Sequence, residues 1–330
     1  MAEALIERGI GATRALVIDG DTVTEAHFER EDGGPLAGAV HVARLVTILQ
    51  PGQRGIMRLG NDEALIEPLP YCAEGGLLRV EVTRGAIPEA GRPRLAKLRN
   101  SDGGSATEGV VRAGPDLIAR LKAAGHRLTL LSGPGADRLE AAGWTEMVDA
   151  AQTGHAAFTG GLLTISPTPA MTVIDVDGPG DLTVLAEAAA VAAAQAIRRF
   201  DITGSIGVDF PSLEGKAART RLGDLLDAHL PARFERTAVN GFGFVQIVRP
   251  RLRASFVEAV RAPGFAALEL LRRAARGDAG GRVLTAPPAM ILWLEARPVL
   301  LKALGRSTGG DVRLQPDATL PMTGAYAAIL

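Results

Sequence analysis

Thr172-Val173-Ile174-Asp175-Val176-Asp177-Gly178 is an apolar run that closes on two acids and a glycine. Side chains of a strand alternate with a period of two, so Asp175 and Asp177 point to one side, at the strand's C-terminal end. Asp181 to Arg199 then reads as an alanine-rich helix with Asp181 near its N-cap. Ser205-Ile206-Gly207-Val208-Asp209-Phe210 repeats the design, a buried strand ending in an acid. Strand, helix, strand in this order predicts a parallel crossover that lays the two acidic ends side by side. Ligands of open α/β sheets bind outside the carboxyl ends of the strands, so Asp175, Asp177 and Asp209 are expected to converge there. Clustered carboxylates suit a hard divalent ion, magnesium above all, which activates water and stabilises charge on a phosphate. The competing reading has each Asp merely ending a strand or capping a helix. For Asp177, followed by Gly178-Pro179-Gly180, the two readings weigh equally.

Outward from this unit, Leu162 to Ile165 reads as a strand before it, and Ala217 to Ala228 as a helix and Gly243 to Val248 as a strand after it. A tail unit from Pro263 carries a helix at Phe265 to Arg276. Upstream, Arg14 to Arg30 is a hairpin about Asp19-Gly20-Asp21, broken by Glu31-Asp32-Gly33-Gly34-Pro35. From Ala39 to Arg99 short strands follow one another between turn signals without a clear helix, the pattern of a small all-β barrel. Ser101-Asp102-Gly103-Gly104-Ser105 reads as a joint, followed by a helix at Asp116 to Ala124, a strand at Arg127 to Leu131 and a helix at Asp137 to Ala142. Ser132-Gly133-Pro134-Gly135 lacks the Lys and spacing of a nucleotide-binding loop and reads as a turn. No internal repeat is visible.

A chain of 330 residues exceeds what one core organises, so two or more units are expected, and 47% hydrophobic residues suffice to build them. The longest apolar stretch, Val184 to Ile197, is mostly alanine and carries Glu187 and Gln195, which excludes a membrane span. The N-terminus has no basic region followed by an apolar one, so a cytoplasmic location is expected. A single cysteine, Cys72, rules out an internal disulfide framework and a multi-cysteine metal site, so no structural zinc is expected. A net charge of -1 argues against bulk electrostatic grip on nucleic acid, so any RNA-binding charge must be local. The five histidines are scattered, and Trp144 and Trp293 sit among apolar residues as core candidates.

The string from Gly160-Gly161-Leu162-Leu163-Thr164-Ile165 through Asp175-Val176-Asp177-Gly178 closely resembles the signature that leads into the catalytic site of the ribonuclease E/G family. The match continues in order with Glu187-Ala188-Ala189-Ala190, Asp201 to Phe210 and Gly241-Phe242-Gly243-Phe244 through Leu252. Gly75 to Arg84 and Ile87 to Leu95 look like the end of its OB-fold module, and Val283 to Pro288 with Gly310 to Asp317 resemble its small terminal domain. The resemblance implies an α/β and all-β multidomain chain. Residues 1–37 would begin an RNase H-like element, into which 38–99 insert an OB-fold RNA-binding barrel; 100–159 form an abbreviated sensor and RNase H-like α/β region; 160–258 a DNase I-like α/β catalytic domain; and 259–330 a small C-terminal α/β domain. It also implies magnesium-dependent endonucleolytic cleavage of single-stranded RNA. Asp175 and Asp209 match the family's metal-binding, catalytic aspartates, and Asp177 stands where an Asn is usual.

Departures from the family are specific. Ile56 and Leu65-Ile66 occupy the barrel strands that carry base-stacking aromatics, with an expected loss of about 1–3 kcal/mol per base. The cysteines that link subunits through zinc are missing between Phe256 and Phe265, so the zinc-linked tetramer is not expected. Gly109 to Ala113 resembles a remnant of the family's 5′ monophosphate sensor, with Arg112 as a candidate RNA-binding residue and Ala113 where a phosphate-binding Thr is expected. Arg249, Arg251 and Arg253 alternate at a predicted strand end and read either as one wall of an RNA groove or as solvated edge residues, with Arg233 and Arg236 as weaker candidates. Two rivals accompany this reading. One is a non-catalytic RNA-binding relative. The other is a haloacid dehalogenase-type phosphatase, whose nucleophile motif Val173 to Gly178 also resembles; Asp175 would attack phosphorus and Asp177 act as general acid, but Leu128-Thr129-Leu130-Leu131-Ser132 precedes the pair where that family places its motif after it.

Overall fold

The structure is a computed structural model that describes residues 2–89, 93–103, 107–131 and 136–330; the Ser132–Gly135 turn and Gly104-Ser105 of the joint lie outside them. Strands β1 (Glu3–Gly9), β2 (Ala12–Asp19) and β3 (Thr22–Arg30) form an antiparallel meander. β2 and β3 are the expected hairpin, turning at Gly20 with φ 59°. β1 is an addition to the sequence reading. Next comes a barrel of β4 (Val40–Gln50), β5 (Arg54–Leu59), β6 (Asp62–Ile66), β7 (Leu77–Arg84) and β8 (Ala96–Asn100). Its order is β5-β6-β8-β7-β4, and pairing of β4 with β5 closes it into an OB-like five-stranded barrel. Ala43, Ala64 and Ala96 leave room inside for Leu45, Met57, Ile66, Val80, Val82 and Leu98. A short β9 (Gly109–Arg112) pairs with β4 at the barrel wall.

After helix α1 (Leu117–Ala123), capped by Asp116, strand β10 (Arg127–Leu131) returns to the first sheet and pairs in parallel with β1, Glu3 opposite Arg127. The barrel is therefore inserted into the first sheet between β3 and β10. Helices α2 (Arg138–Ala141) and α3 (Trp144–Thr153) follow, the second of them unforeseen.

The central sheet consists of β11 (His155–Phe158), β12 (Gly161–Pro167), β13 (Thr172–Asp177), β14 (Gly204–Asp209), β15 (Glu235–Arg236) and β16 (Phe244–Arg249), in the order β11-β12-β13-β14-β16-β15. Only β13 and β14 are parallel, as the crossover requires. Helix α4 (Leu182–Arg199) makes that crossover, with Asp181 accepting from the Thr183 and Val184 amides at 2.8 and 3.1 Å. Its alanines 186, 189, 190, 193 and 194 are buried and let the helix sit close to the sheet. Together with α5 (Lys216–His229) it shares one core with Leu163, Ile165, Ile174, Val176, Ile206, Val208, Val245 and Ile247. The alternate residues of the same strands form the opposite, uncovered face, the usual division in an antiparallel sheet.

The chain ends with α6 (Phe256–Arg261), α7 (Phe265–Arg276), α8 (Pro288–Glu295), α9 (Pro298–Thr308) and a small sheet ordered β18 (Val312–Pro316), β17 (Arg282–Ala286), β19 (Tyr326–Ile329). Among the described residues no helix is long and apolar enough to cross a membrane.

Helix α7 is bound to the first sheet by buried charge. Arg14 on β2, with 0% of its surface exposed, donates to Glu269 Oε1 at 2.5 Å and to the Leu268 carbonyl at 2.9 Å. Trp144 Nε1 donates to the other oxygen of Glu269 at 3.0 Å. One turn on, Arg272 donates to Glu7 of β1 at 2.7 Å and to both oxygens of Asp137 at 2.7 Å. Removing one partner of a buried pair leaves the other charge uncompensated, at a cost of about 3–5 kcal/mol. Glu269→Ala is therefore expected to lower the unfolding free energy by about that amount in urea titration, and Arg14→Met/Glu269→Met to lose less than the single variant.

A second tie joins β3 to α4. Glu25 accepts from His27 Nε2 at 3.0 Å and from Arg198 Nε at 3.2 Å. Burial alone would raise its carboxyl, but the His27 bond and the charges of His27 and Arg198 outweigh burial and hold it at about 2, against the ordinary 4.5. A carboxyl depressed on folding contributes stability that is whole above the unfolded value and is lost as pH falls through the folded one. The Tm gap between the protein and Glu25→Gln should thus be widest above pH 4.5 and close as pH drops from 4.5 toward 2.

Candidate active site

Strand pairing aligns one row of residues across five strands. His155 of β11 lies opposite Thr164 of β12, Thr164 opposite Asp175 of β13, Asp175 opposite Asp209 of β14, and Asp209 opposite Phe244 of β16. Directly paired residues share a face, and Ile174 and Val208 are buried on the other one, so the row belongs to the uncovered face. Asp175 and Asp209 are exposed and sit on adjacent strands about 4.8 Å apart. Asp177, also exposed, is two residues further along β13, about 6.6 Å, and opposite Leu162.

The sequence expectation of three converging acids is thus met by a pair. Among the described residues no three His, Cys, Asp or Glu side chains form a group that could hold a metal ion. Asp177 is the last residue of β13, as the strand-ending alternative has it, while Asp181 and not Asp177 caps α4. Among the described residues none of the three carboxylates has a hydrogen bond or ion pair within the protein, so their oxygens are open to an external cation. Two carboxylates with further positions left for water and phosphate oxygens are a donor set that fits magnesium.

Glycines shape the surroundings. A Cβ on Gly161 would lie 2.6 Å from the Asp177 carbonyl, and one on Gly178 would lie 2.5 Å from the Gly160 carbonyl, so the two glycine steps let β12 and the end of β13 meet closely under Leu185. A Cβ on Gly207 would meet the ring of Phe244 at 2.6 Å, so that ring reaches over Gly207 on the uncovered face, and Phe244 stands opposite Asp209.

Of the candidate RNA-binding arginines, Arg112, Arg236, Arg249, Arg251 and Arg253 are engaged within the protein, and Arg233 is exposed. β16 ends at Arg249, so Arg251 and Arg253 lie beyond the strand, and the expected strand-end alternation is absent. Arg249 is half-buried, donates to the Ile202 carbonyl at 2.5 Å, and has its pKa lowered by burial. Arg251 pairs with Glu258 and Arg253 with Asp201 at 2.6 Å. Arg236 pairs with Asp227, which raises the arginine and lowers the aspartate. Arg112, on β9, donates to the Gly38 carbonyl at 3.1 Å, and Arg233 holds a left-handed φ of 66°. Arg251 thereby ties the segment after β16 to α6, Arg253 ties it to the end of α4, and Arg236 ties β15 to α5.

A cleft of about 640 Å³ lies between the first sheet, the barrel and the C-terminal unit, and Arg30, Arg120, Arg253, Arg297 and Trp293 line it. Trp144 is core as expected, 1% exposed, but Trp293 is a cleft wall, its ring stacked by Arg297 at 4.0 Å. Each cleft arginine has a carboxylate partner, Arg30 and Arg297 sharing Asp32, Arg120 pairing with Glu29 and Arg253 with Asp201.

His155, Thr164 and Phe244 are neighbours of the acids that the sequence reading missed. Which residues of different strands stand opposite one another depends on register, and no local pattern carries it. The chain matches no protein-family model and no curated protein among those compared with it.

Proposed function

We propose that the chain is a magnesium-dependent endoribonuclease that hydrolyses phosphodiester bonds of single-stranded RNA. One observation carries this: Asp175 and Asp209 stand side by side at the carboxyl ends of parallel strands, exposed and without a protein partner. An OB-like barrel in the same chain supports an RNA substrate, and so does the resemblance of the Gly160–Gly178 string to ribonuclease E/G. In this reading the central sheet with α4 and α5 is a DNase I-like catalytic unit and the first sheet an RNase H-like element, in a cytoplasmic protein without the zinc-linked tetramer.

Asp175 and Asp209 would hold the cation, with Asp177 as the further acid of the site. Bound there, magnesium supplies an activated water and stabilises charge on the phosphate being cleaved. The protein's own part is orientation. An extended RNA strand would lie on the uncovered face with the phosphate to be cleaved at the Asp175–Asp209 pair. The barrel holds the strand weakly, since Ile56 and Leu65 stand where base-stacking aromatics would.

Cleavage of labelled single-stranded RNA should require magnesium, stop in EDTA, and fall roughly 10²–10³-fold for each of Asp175→Asn and Asp209→Asn. Equal cutting by wild type and the double variant would sink the proposal. RNA binding with no cleavage would establish the non-catalytic relative instead, and hydrolysis of small phosphomonoesters alone would establish the phosphatase.

A further inference from the structure

Nine phenylalanines are in the chain, and eight are buried or half-buried; Phe242 is 80% exposed. It sits on a turn with little freedom. Asn240 Oδ1 accepts from the amides of Phe242 at 2.9 Å and of Phe244 at 3.0 Å, and the Asn240 amide donates to the Phe244 carbonyl at 3.0 Å. Gly243, at φ 89°, is in the left-handed region, and a Cβ there would lie 2.2 Å from the Phe210 carbonyl, so the turn is pressed onto the chain just past Asp209. Phe210 donates its amide to the Gly243 carbonyl at 3.3 Å, and Ser212 Oγ donates to the Phe242 carbonyl at 3.2 Å. Residues 210–212 follow Asp209 directly, so the scaffold that displays Phe242 is built from the segment that leaves the acid pair.

A bare aromatic ring on a fixed turn meets the physical requirement for stacking on an unpaired base, which every base offers through its π-face. The barrel has lost that function at Ile56 and Leu65, which are half-buried aliphatic residues. We propose that Phe242 is a base-stacking, substrate-positioning residue that holds one unpaired nucleotide of single-stranded RNA beside the phosphate at Asp175 and Asp209. The proposal rests on the RNA-binding part of the function proposed above and is independent of cleavage.

The test measures binding of a fluorescent single-stranded oligoribonucleotide in EDTA, where no cleavage intervenes, by wild type and by Phe242→Ala, Phe242→Leu, Phe242→Trp and Asp175→Asn/Asp209→Asn. An abasic oligomer of equal length serves as control. Phe242→Ala and Phe242→Leu should weaken binding about 5- to 150-fold, Phe242→Trp should retain it, and the abasic oligomer should bind all variants alike. Phe242 is solvent-exposed, so far-UV circular dichroism of all variants should match wild type. Unchanged affinity in Phe242→Ala, equal loss on the abasic oligomer, or no RNA binding by wild type overturns the proposal; so does an effect of Phe242→Ala confined to self-association. Weakened binding by Phe242→Ala in a protein that never cleaves RNA would uphold Phe242 and refute catalysis, whereas magnesium-dependent cleavage with Phe242→Ala binding normally would do the reverse.

Discussion

Glu269 holds the first, middle and last parts of the chain together. Its two carboxylate oxygens accept from Arg14, 255 residues away in sequence, and from Trp144 of α3. Burying a carboxylate and a guanidinium is costly unless their hydrogen bonds are satisfied, and the Leu268 carbonyl and the ring of Phe28, 5.4 Å from the guanidinium carbon, complete most of the shell around Arg14. Arg14 Nη1 keeps no hydrogen-bond partner among the described residues, so the site is fixed in geometry more than optimised in energy. Phe28 and Phe265 meet edge to face at 4.8 Å beside it, which converts the polar contact into a packed one.

The same contact frames the central sheet. Trp144 packs edge to face on Phe256, and Phe256 stacks on Phe200 at the end of α4. Thus the helix that covers one face of the acidic strands is seated against α3 and α6, and through Trp144 against the Glu269 centre. Covering one face and leaving the other bare is what exposes Asp175 and Asp209; a second helical layer would have to bury them.

Much of this was legible in the sequence where the controlling physics is local. The period of two in Thr172 to Asp177, the alanines of α4 and the cap at Asp181 each specify their element, and β13, α4 and β14 fall within a residue or two of expectation. Barrel strands between turns were equally clear. β1 was not, because Glu7 interrupts its apolar run, and its burial makes sense only beside Arg272 on α7. Arg249, Arg251 and Arg253 looked like a charged edge because their partners, the Ile202 carbonyl, Glu258 and Asp201, sit on other elements. The acid pair was foreseen from strand ends, whereas the neighbours His155, Thr164 and Phe244 needed the register of four strand pairs.

Register also gives the acid pair its energetic character. Like charges directly opposite on neighbouring strands destabilise a sheet, and Asp175 and Asp209 are opposed in this way with no protein cation bonded to either among the described residues. A sheet built for stability alone would place Thr or Val at one of the two positions, as it does at Thr172 and Val173 on the same strand. In the proposed function a divalent cation held by the two carboxylates would offset this repulsion. The two aspartates therefore weaken the sheet as it stands, and a cation bound by them would return that stability, which is how a binding site differs in energy from a structural feature.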